Sequence, residues 1–528
     1  MRRANPISRT TAAAAYGFFA LFATADAKGP SPHIATGCAS LAQKSFDAGL
    51  TLLHSFEYVE ARRKFAESER LDPDCAMAKW GLAMTLWHPL WAPPAKADLE
   101  EGARLLEDAL ALASDGDSRA YVEALGSFFS SADPATHRDR VGAYEANMRS
   151  LHLADPGDRE AALFFALALL ASADPHDATY ARQFRAGAVL SHAGAGAPDH
   201  PAVLHYTIHA YDYPSLAYLA LPAALRYADA APDSAHAQHM PSHIFTRLGM
   251  WERAISSNRD STRSAADYTH RAHLDGHYDE GLHSIDYLTY ALLQTGRDAA
   301  AAIVLEELAA IEKPNENNFK AAFTYASSPA RFAVERGAWS EAAELKAAPA
   351  SFPWAEFPWA MSIIHFARGL GAAKVGDIDA AEAEAAEIAR LESTLAPSTL
   401  AYWREQVGVQ KDLVRAAILF ANDRPEEALS IAAAAADRED AVDKHPVTPG
   451  EIMPAREFYA QMLADAGRPK DALAQFQTAL SRAPNRLNAQ IGAAKAAHAA
   501  GESQIASDFQ RAAKLQTKNG DRKIAPLD

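Results

Sequence analysis

Two pairs of histidines, each with its members four residues apart, are offset from one another by 34 residues in this 528-residue chain. The first pair is His205 and His209, and the second is His239 and His243. Thirty-four residues is the length of a two-helix unit that stacks side by side into extended arrays. Residues four apart share one face of a helix, and packed helices lie about 8–10 Å apart. We therefore expect four imidazoles to converge in one small volume.

The rest of the chain follows a helix-turn-helix pattern, most clearly near its C-terminus. Between Pro454 and Pro484, Gly467 stands at the turn between two helices, and Phe476 falls where an aromatic side chain fills the gap between neighbouring units. The closing proline begins the next unit because it cannot continue the helix. The segment Leu41–Pro73 follows the same pattern, with Phe65 as the aromatic residue. Further turns are predicted at Gly249, Gly296, Gly337, Gly376, Asp423 and Gly501.

These patterns predict an all-α chain, because no stretch alternates polar and apolar residues as a strand would. The chain is also longer than a single compact core usually allows, a limit that a solenoid avoids because each unit packs only on its neighbours. The sequence predicts repeats at 28–96, a degenerate helical stretch at 97–200, histidine-rich repeats at 201–310, further repeats at 311–436, and an irregular loop followed by repeats at 437–528.

The first 27 residues have the form of an export signal. Arg2, Arg3 and Arg9 give a positive start, and the short apolar stretch Thr10–Ala25 follows. Small residues then predict cleavage after Ala27. The apolar stretch is too short for a comfortable membrane span, and no later run reaches 18 uninterrupted apolar residues. We therefore expect a periplasmic or secreted protein with no membrane span in the mature chain.

The net charge excludes some classes of binding partner, and the two cysteines raise the question of a disulfide. The formal net charge is -16, which disfavours nucleic acid and anionic membranes. The two cysteines are Cys38 and Cys75. In an oxidising compartment they can pair and tie the first repeat to the start of the second. The sequence leaves open whether they do.

Three segments resemble a group of exported bacterial tetratricopeptide-repeat proteins. They read HYTIHAYDYP, HAQHMPSHIFTRLGMWERAISSN and DKHPVTPGEIMPARE, and HMPSHIF is the signature of the group. The resemblance spans most of the mature chain and implies a tetratricopeptide-like α-solenoid, a superhelix of stacked helix-turn-helix repeats. It brings no established activity with it.

The resemblance also implies where the histidines lie. In tetratricopeptide repeats, positions 2, 5 and 9 of the first helix line the concave groove that binds ligands. His205 and His239 match position 5, and His209 and His243 match position 9. His236 matches position 2.

The register of the next repeat is ambiguous. A strict 34-residue offset selects His270, His273 and His277, but Asp275 and Gly276 would interrupt that helix. The turn at Gly296 instead starts the repeat near Leu282 after a 13-residue insertion. We prefer the second register, which makes His283 and Asp286 the groove residues. The other three histidines are then expected on a connecting loop that passes over the site.

These residues form a candidate metal site. His205, His209, His239 and His243 are the predicted ligands, and His236, His283 or Asp286 would complete or orient the set. Imidazole ligands suit Cu, Zn or Fe, whereas Ca and Mg prefer oxygen ligands. Neither pair has the form HExxH of metalloproteases, so a carboxylate would come from elsewhere, with Asp286, Asp212 and Glu57 as candidates.

Pro241 lies inside the second histidine pair. A proline at this place kinks the helix or makes it start late. The kink would aim His239 and His243, or it would mark only an irregular entry into the repeat. His54 and His88 are also 34 residues apart, and they form either a packed interior or a second cluster.

Two functions fit these observations. The first is a solenoid that binds a transition metal in its groove and acts as a metal-dependent oxidase or hydrolase on a small-molecule or peptide ligand; whether it is an enzyme stays open. The second is a scaffold without catalysis that binds a peptide or protein partner in the groove.

Overall fold

The computed structural model describes residues 31–91, 93–113, 116–174, 176–232, 234–395, 401–443, 445 and 447–527. The predicted export signal lies outside these ranges. Within them the chain is α-helical, with two short 3₁₀ turns and an isolated β-bridge between His277 and Pro314. None of the described helices combines the length and apolarity that crossing a membrane would require. The prediction of an all-α solenoid is confirmed.

In the N-terminal part, consecutive helices pack against each other, and the short connections make neighbours antiparallel. This part includes the stretch that is degenerate as a repeat but still helical. Its helices are α1 (Ser40–His54), α2 (Tyr58–Leu71), α3 (Ala76–Met84), α4 (Lys96–Leu112), α5 (Asp117–Phe128), α6 (His137–Ala154), α7 (Arg159–Ala171) and α8 (Ala181–Ala193).

The central part carries the histidine pairs and is the least regular. Two short helices stand where one first helix is expected, and the connection before the next first helix holds the predicted insertion. Its helices are α9 (Pro201–Tyr211), α10 (Ala217–Ala224), α11 (Tyr227–Ala230), α12 (Ala235–His239), α13 (Pro241–Arg247), α14 (Trp251–Arg271), α15 (Asp279–Gln294) and α16 (Asp298–Ala309).

The C-terminal part returns to regular hairpins. An irregular connection separates its sixth and seventh helices, as the sequence predicts. Its helices are α17 (Phe319–Glu335), α18 (Trp339–Ala343), α19 (Pro358–Val375), α20 (Ile378–Thr394), α21 (Ala401–Ala421), α22 (Pro425–Asp440), α23 (Ala455–Asp465), α24 (Pro469–Arg482), α25 (Leu487–Ala499) and α26 (Ser503–Gln516).

Seven turns between paired helices lie where the sequence predicts them. Each of the seven has a residue with positive φ, a conformation that glycine adopts without steric cost and that aspartate tolerates. At Gly467, for example, φ is 75°. The same sign of φ is found at Gly249, Gly296, Gly337, Gly376, Asp423 and Gly501.

Aromatic residues fill the gaps between neighbouring hairpins, as predicted. A Cβ atom added at Gly81 of α3 would lie 2.4 Å from the ring of Phe65 in α2. In the C-terminal part, a Cβ atom at Gly492 would lie 2.3 Å from the ring of Phe476. These distances are far below van der Waals contact. The next hairpin can approach the ring only because its first helix carries glycine at that point.

The superhelix closes on itself, because its C-terminal hairpins return to the central part. The indole Nε1 of Trp251 donates to the carbonyl of Asn485 at 2.9 Å. The backbone N–H of Leu487 donates to Oε1 of Gln294 at 2.8 Å. The last two repeats therefore pack against α14 and α15.

The N-terminal hairpin also packs on the central part. Glu57, between α1 and α2, accepts hydrogen bonds from Ser234 at 2.7 Å and from Tyr278 at 2.5 Å. A disulfide joins Cys38 to Cys75, with Cα atoms 5.3 Å apart, and ties the segment before α1 to the start of α3. The histidine-bearing helices are thus enclosed from both ends of the chain.

A buried arginine links the central helix α15 to the C-terminal helices α17 and α23, and it donates to the hydroxyl of Tyr290 on α15 at 3.1 Å. Arg486 is 1% exposed, and its guanidinium lies 2.6 Å from carboxylate oxygens of both Glu335 and Glu457. We predict that Arg486→Met, which leaves two carboxylates buried without their cation, lowers the free energy of unfolding by about 3–5 kcal/mol. Urea unfolding followed by circular dichroism measures the change.

The matched control is Arg511→Met on α26. Arg511 is exposed, and among the described residues it forms an ion pair with Asp508. Removing its charge should therefore change the urea concentration at the unfolding midpoint little. Equal midpoints for the two variants would contradict the role given to Arg486.

Candidate metal centre

Six histidines from neighbouring helices come together inside the closed superhelix. Within each set of three described below, one ring nitrogen of every residue lies within 4.8 Å of the others. We call the two sets the first triad, which consists of His205, His209 and His236, and the second triad, which consists of His239, His243 and His283. Each HxxxH pair therefore supplies two members of one triad, and a further helix supplies the third.

The ring nitrogens within each triad lie very close together. In the first, Nε2 of His205 lies 3.1 Å from Nε2 of both His209 and His236. In the second, Nε2 of His239 lies 2.9 Å from Nε2 of His243. All six side chains are buried, with exposures between 0% and 7%. The four imidazoles of the two pairs thus meet in one region, as predicted, but they divide between two sets.

Pro241 interrupts the helix that carries the second pair. Helix α12 ends at His239, and α13 begins at Pro241. Met240 between them keeps helical dihedral angles, and its carbonyl accepts from the backbone N–H of His243 at 3.2 Å. The interruption predicted at Pro241 is present. His239 lies before it and His243 after it, yet their Nε2 atoms are 2.9 Å apart.

In the first triad, two rings are fixed through their Nδ1 atoms. Nδ1 of His205 donates to the backbone carbonyl of His54 at 2.7 Å, and Nδ1 of His236 donates to the carboxylate of Glu280 at 3.0 Å. Both partners are acceptors, so in each ring Nδ1 carries the hydrogen. In a neutral imidazole Nε2 then carries a lone pair.

The second triad is held in the same way. Nδ1 of His239 donates to Oδ1 of Asn258 at 2.7 Å, and the Nδ2 of Asn258 donates to the carbonyl of Ala254 at 2.7 Å, which fixes the orientation of the amide. Nδ1 of His243 donates to Asp212 at 2.9 Å. Asp212 is in turn 3.0 Å from Nε of Arg247.

Three of the six imidazoles, those of His205, His239 and His283, are neutral because they are buried beside other histidines. Burial lowers the pKa of each well below the usual range of histidine, and neighbouring histidines lower it further. The Nε2 lone pairs of His205 and His239 therefore face Nε2 atoms of neighbouring rings at 2.9–3.1 Å. Nε2 of His283 is buried and has no hydrogen-bond partner among the described residues. A cation placed among these atoms would satisfy all of them.

Asp286 does not join either triad. Its Oδ1 accepts from the hydroxyl of Ser327 at 2.7 Å and lies 3.7 Å from Nε of Arg331. Burial raises its pKa, while Arg331 opposes that shift. The carboxylate thus bonds to side chains of α17. The structure does not place Asp286 with the histidines, where the sequence predicted it as a possible metal ligand. His283, predicted from the same repeat, is in place.

Aromatic rings surround the triads. The ring of Phe56 lies 4.4 Å from that of His205, and the ring of Trp91 lies 5.8 Å from that of His209, measured between centroids. On the other side, Tyr287 lies 4.8 Å from His239. Phe56 holds a φ of 58°, which costs a non-glycine residue of the order of 1 kcal/mol or more. The backbone conformation that places the Phe56 ring beside His205 is therefore itself unfavourable and must be stabilised by the surrounding packing.

The other histidines singled out in the sequence lie outside the triads. Nε2 of His54 is 2.7 Å from Glu160, and its Nδ1 is 2.9 Å from the hydroxyl of Tyr206. It is a satisfied interior residue whose carbonyl holds His205. His88 stacks on Tyr58 at 4.0 Å. His270 lies in the last turn of α14, whereas His273 and His277 lie in the connection after it.

Sequence reasoning missed two residues that position the rings, Asn258 and Glu280. Glu280 stands three residues before His283 on α15, so it shares a helix face with a predicted ligand, and that spacing could have indicated it. Asn258 lies on the second helix of its hairpin. The repeat positions used for the prediction belong to first helices, so they could not indicate Asn258. Asp212, named as a carboxylate candidate, is found at His243.

No family model matches the chain, and no curated protein matches it. Among similar solved structures, the tetratricopeptide-repeat domain of P58(IPK) is 12% identical, with 88% of this chain and 99% of that chain covered and a TM-score of 0.21. Yeast Tom70 is 13% identical, with 91% and 98% covered and a TM-score of 0.34.

Proposed function

We propose that this protein binds two transition-metal ions, one in each triad. The observation that carries the proposal is the orientation of the rings: four Nδ1 atoms donate to fixed acceptors, and the Nε2 atoms face each other at 2.9–3.1 Å. Outer hydrogen bonds of this kind fix the tautomer and the ring plane of histidine ligands in metal sites.

The ligand set favours Cu, Zn or Fe, because imidazole binds these ions well and no oxygen ligand belongs to either triad. Three protein ligands leave a coordination position open, as in catalytic sites, whereas structural zinc sites use four. We therefore extend the proposal to a metal-dependent enzyme that acts on a small molecule at the open positions.

A peptide-binding scaffold finds less support in the geometry. The histidine-bearing faces that would form the floor of an open groove are buried, at most 7% exposed. Phe56 and Trp91 lie against the first triad. An extended peptide would have to displace these rings before it could reach the histidines.

We also propose that the protein is exported. The disulfide between Cys38 and Cys75 supports this proposal, because such bonds persist in oxidising compartments. The N-terminal signal pattern and the proposed cleavage after Ala27 give the same location, the periplasm or the exterior.

The metal content tests the main proposal. We predict that protein purified without a histidine tag holds two transition-metal ions per chain by elemental analysis. Both His205→Ala and His239→Ala should hold one, because each removes a ligand of a different triad. The matched control is His365→Ala on α19, a histidine that bonds Glu384 outside the triads. It should keep two ions, and equal metal content in all four proteins would contradict the assignment.

The ring anchors give a second prediction. Asn258→Ala removes the acceptor of His239 Nδ1, so metal affinity should fall about 10–100-fold in the second triad only. Competition with a chromophoric chelator measures both sites. Asn147→Ala is the control, since the Asn147 amide also bonds the carbonyl four residues before it but is exposed. An equal loss of affinity in both triads would argue against an anchoring role.

The disulfide gives a test of location that does not depend on metal. Protein recovered from the producing cells and unfolded without reductant should show no reactive thiols, and two should appear after reduction, because Cys38 and Cys75 are paired. A thiol-specific chromogenic reagent measures them. Two free thiols before reduction would remove this support for export.

A further inference from the structure

We infer that the two triads work as one copper centre, in which two Cu(I) ions bind dioxygen between them. This inference rests on the proposed metal binding and adds the identity of the metal, the pairing of the two ions and the class of substrate.

The two triads are neighbours joined by shared elements. The rings of His209 and His243, one from each triad, have centroids 6.3 Å apart. His236 and His239 belong to different triads yet stand three residues apart on α12. Glu280 bonds His236 of the first triad and stands one turn before His283 of the second. Ions in the two triads would therefore be neighbours.

The buried charges favour ions of low charge. Asp212 pairs with Arg247, and both Asp279 and Glu280 lie 2.5 Å from the single ammonium of Lys320. These groups together leave one carboxylate without a compensating cation. Two divalent ions would add four positive charges to this buried region, whereas two Cu(I) ions add two. Uncompensated buried charge is costly, so the neutral ligands and their surroundings suit Cu(I).

The enclosure selects a small neutral substrate. Phe56 and Trp91 crowd the first triad, and Tyr287 lies against the second. His209 is the most exposed of the six ligands, at only 7%. A charged substrate would lose its hydration shell on entering such a space. Dioxygen is small and uncharged, so it meets neither obstacle.

The electron count also requires both ions. Each Cu(I) gives one electron and becomes Cu(II), and dioxygen accepts the two electrons and becomes the peroxide dianion. Two Cu(II) ions and one peroxide carry a total charge of +2, the same as two Cu(I) ions and dioxygen. The buried region therefore takes up no net charge in this step.

The experiment uses the full chain loaded without oxygen with two equivalents of Cu(I), and then exposed to dioxygen. An oxygen electrode should show one dioxygen consumed for every two copper ions. Electron paramagnetic resonance should then show much less than two Cu(II) spins per chain, because two Cu(II) ions that share the peroxide as a ligand couple magnetically. The variant His365→Ala should give the same results, since His365 lies outside the triads.

Variants with one damaged triad separate paired ions from isolated ones. His209→Asn and His283→Asn should each hold one copper ion tightly and show one full Cu(II) spin after oxidation, with circular dichroism confirming that they fold. Two full spins in the original protein, or no uptake of dioxygen by the doubly loaded chain, would overturn the inference. Binding of zinc without binding of Cu(I) would overturn it too, but would leave the proposed metal binding intact. Failure to bind copper, zinc and iron would overturn both.

Discussion

The centre depends on the fixed direction of its imidazole rings. A histidine can present either ring nitrogen, and only an acceptor at Nδ1 commits Nε2 to the interior of the site. Here the acceptors are chemically different: a backbone carbonyl from His54, a carboxylate from Glu280 and an amide oxygen from Asn258. Each comes from an element other than the helix that bears the ring. The geometry of the triads is therefore a property of the whole superhelix.

Much of this arrangement could be predicted from local sequence patterns. The 34-residue offset placed His205 and His239 on equivalent helices, and glycine at the turns marked the ends of hairpins such as the one at Gly467. The effect of Pro241 also followed from its own backbone chemistry. These features depend on residues close in sequence, so a single chain reveals them.

The grouping into two triads and the position of Asp286 could not be predicted in this way. A groove position says that a side chain points inward, but not which charged group meets it from another hairpin. On α17, Arg331 lies 3.7 Å from Asp286 and Ser327 donates to the same carboxylate, which belongs to neither triad. Phe56 reaches the first triad from a loop near the other end of the superhelix. Such contacts depend on superhelical curvature, which repeat spacing does not specify.

The closure of the superhelix has a consequence for the order of assembly. His205 is held by the first hairpin, through the carbonyl of His54, while the C-terminal hairpins pack on α14 and α15. A chain still being synthesised or translocated would present only isolated histidine pairs, with their rings free to rotate. Both triads, with their rings held in place, are then complete only in the finished molecule.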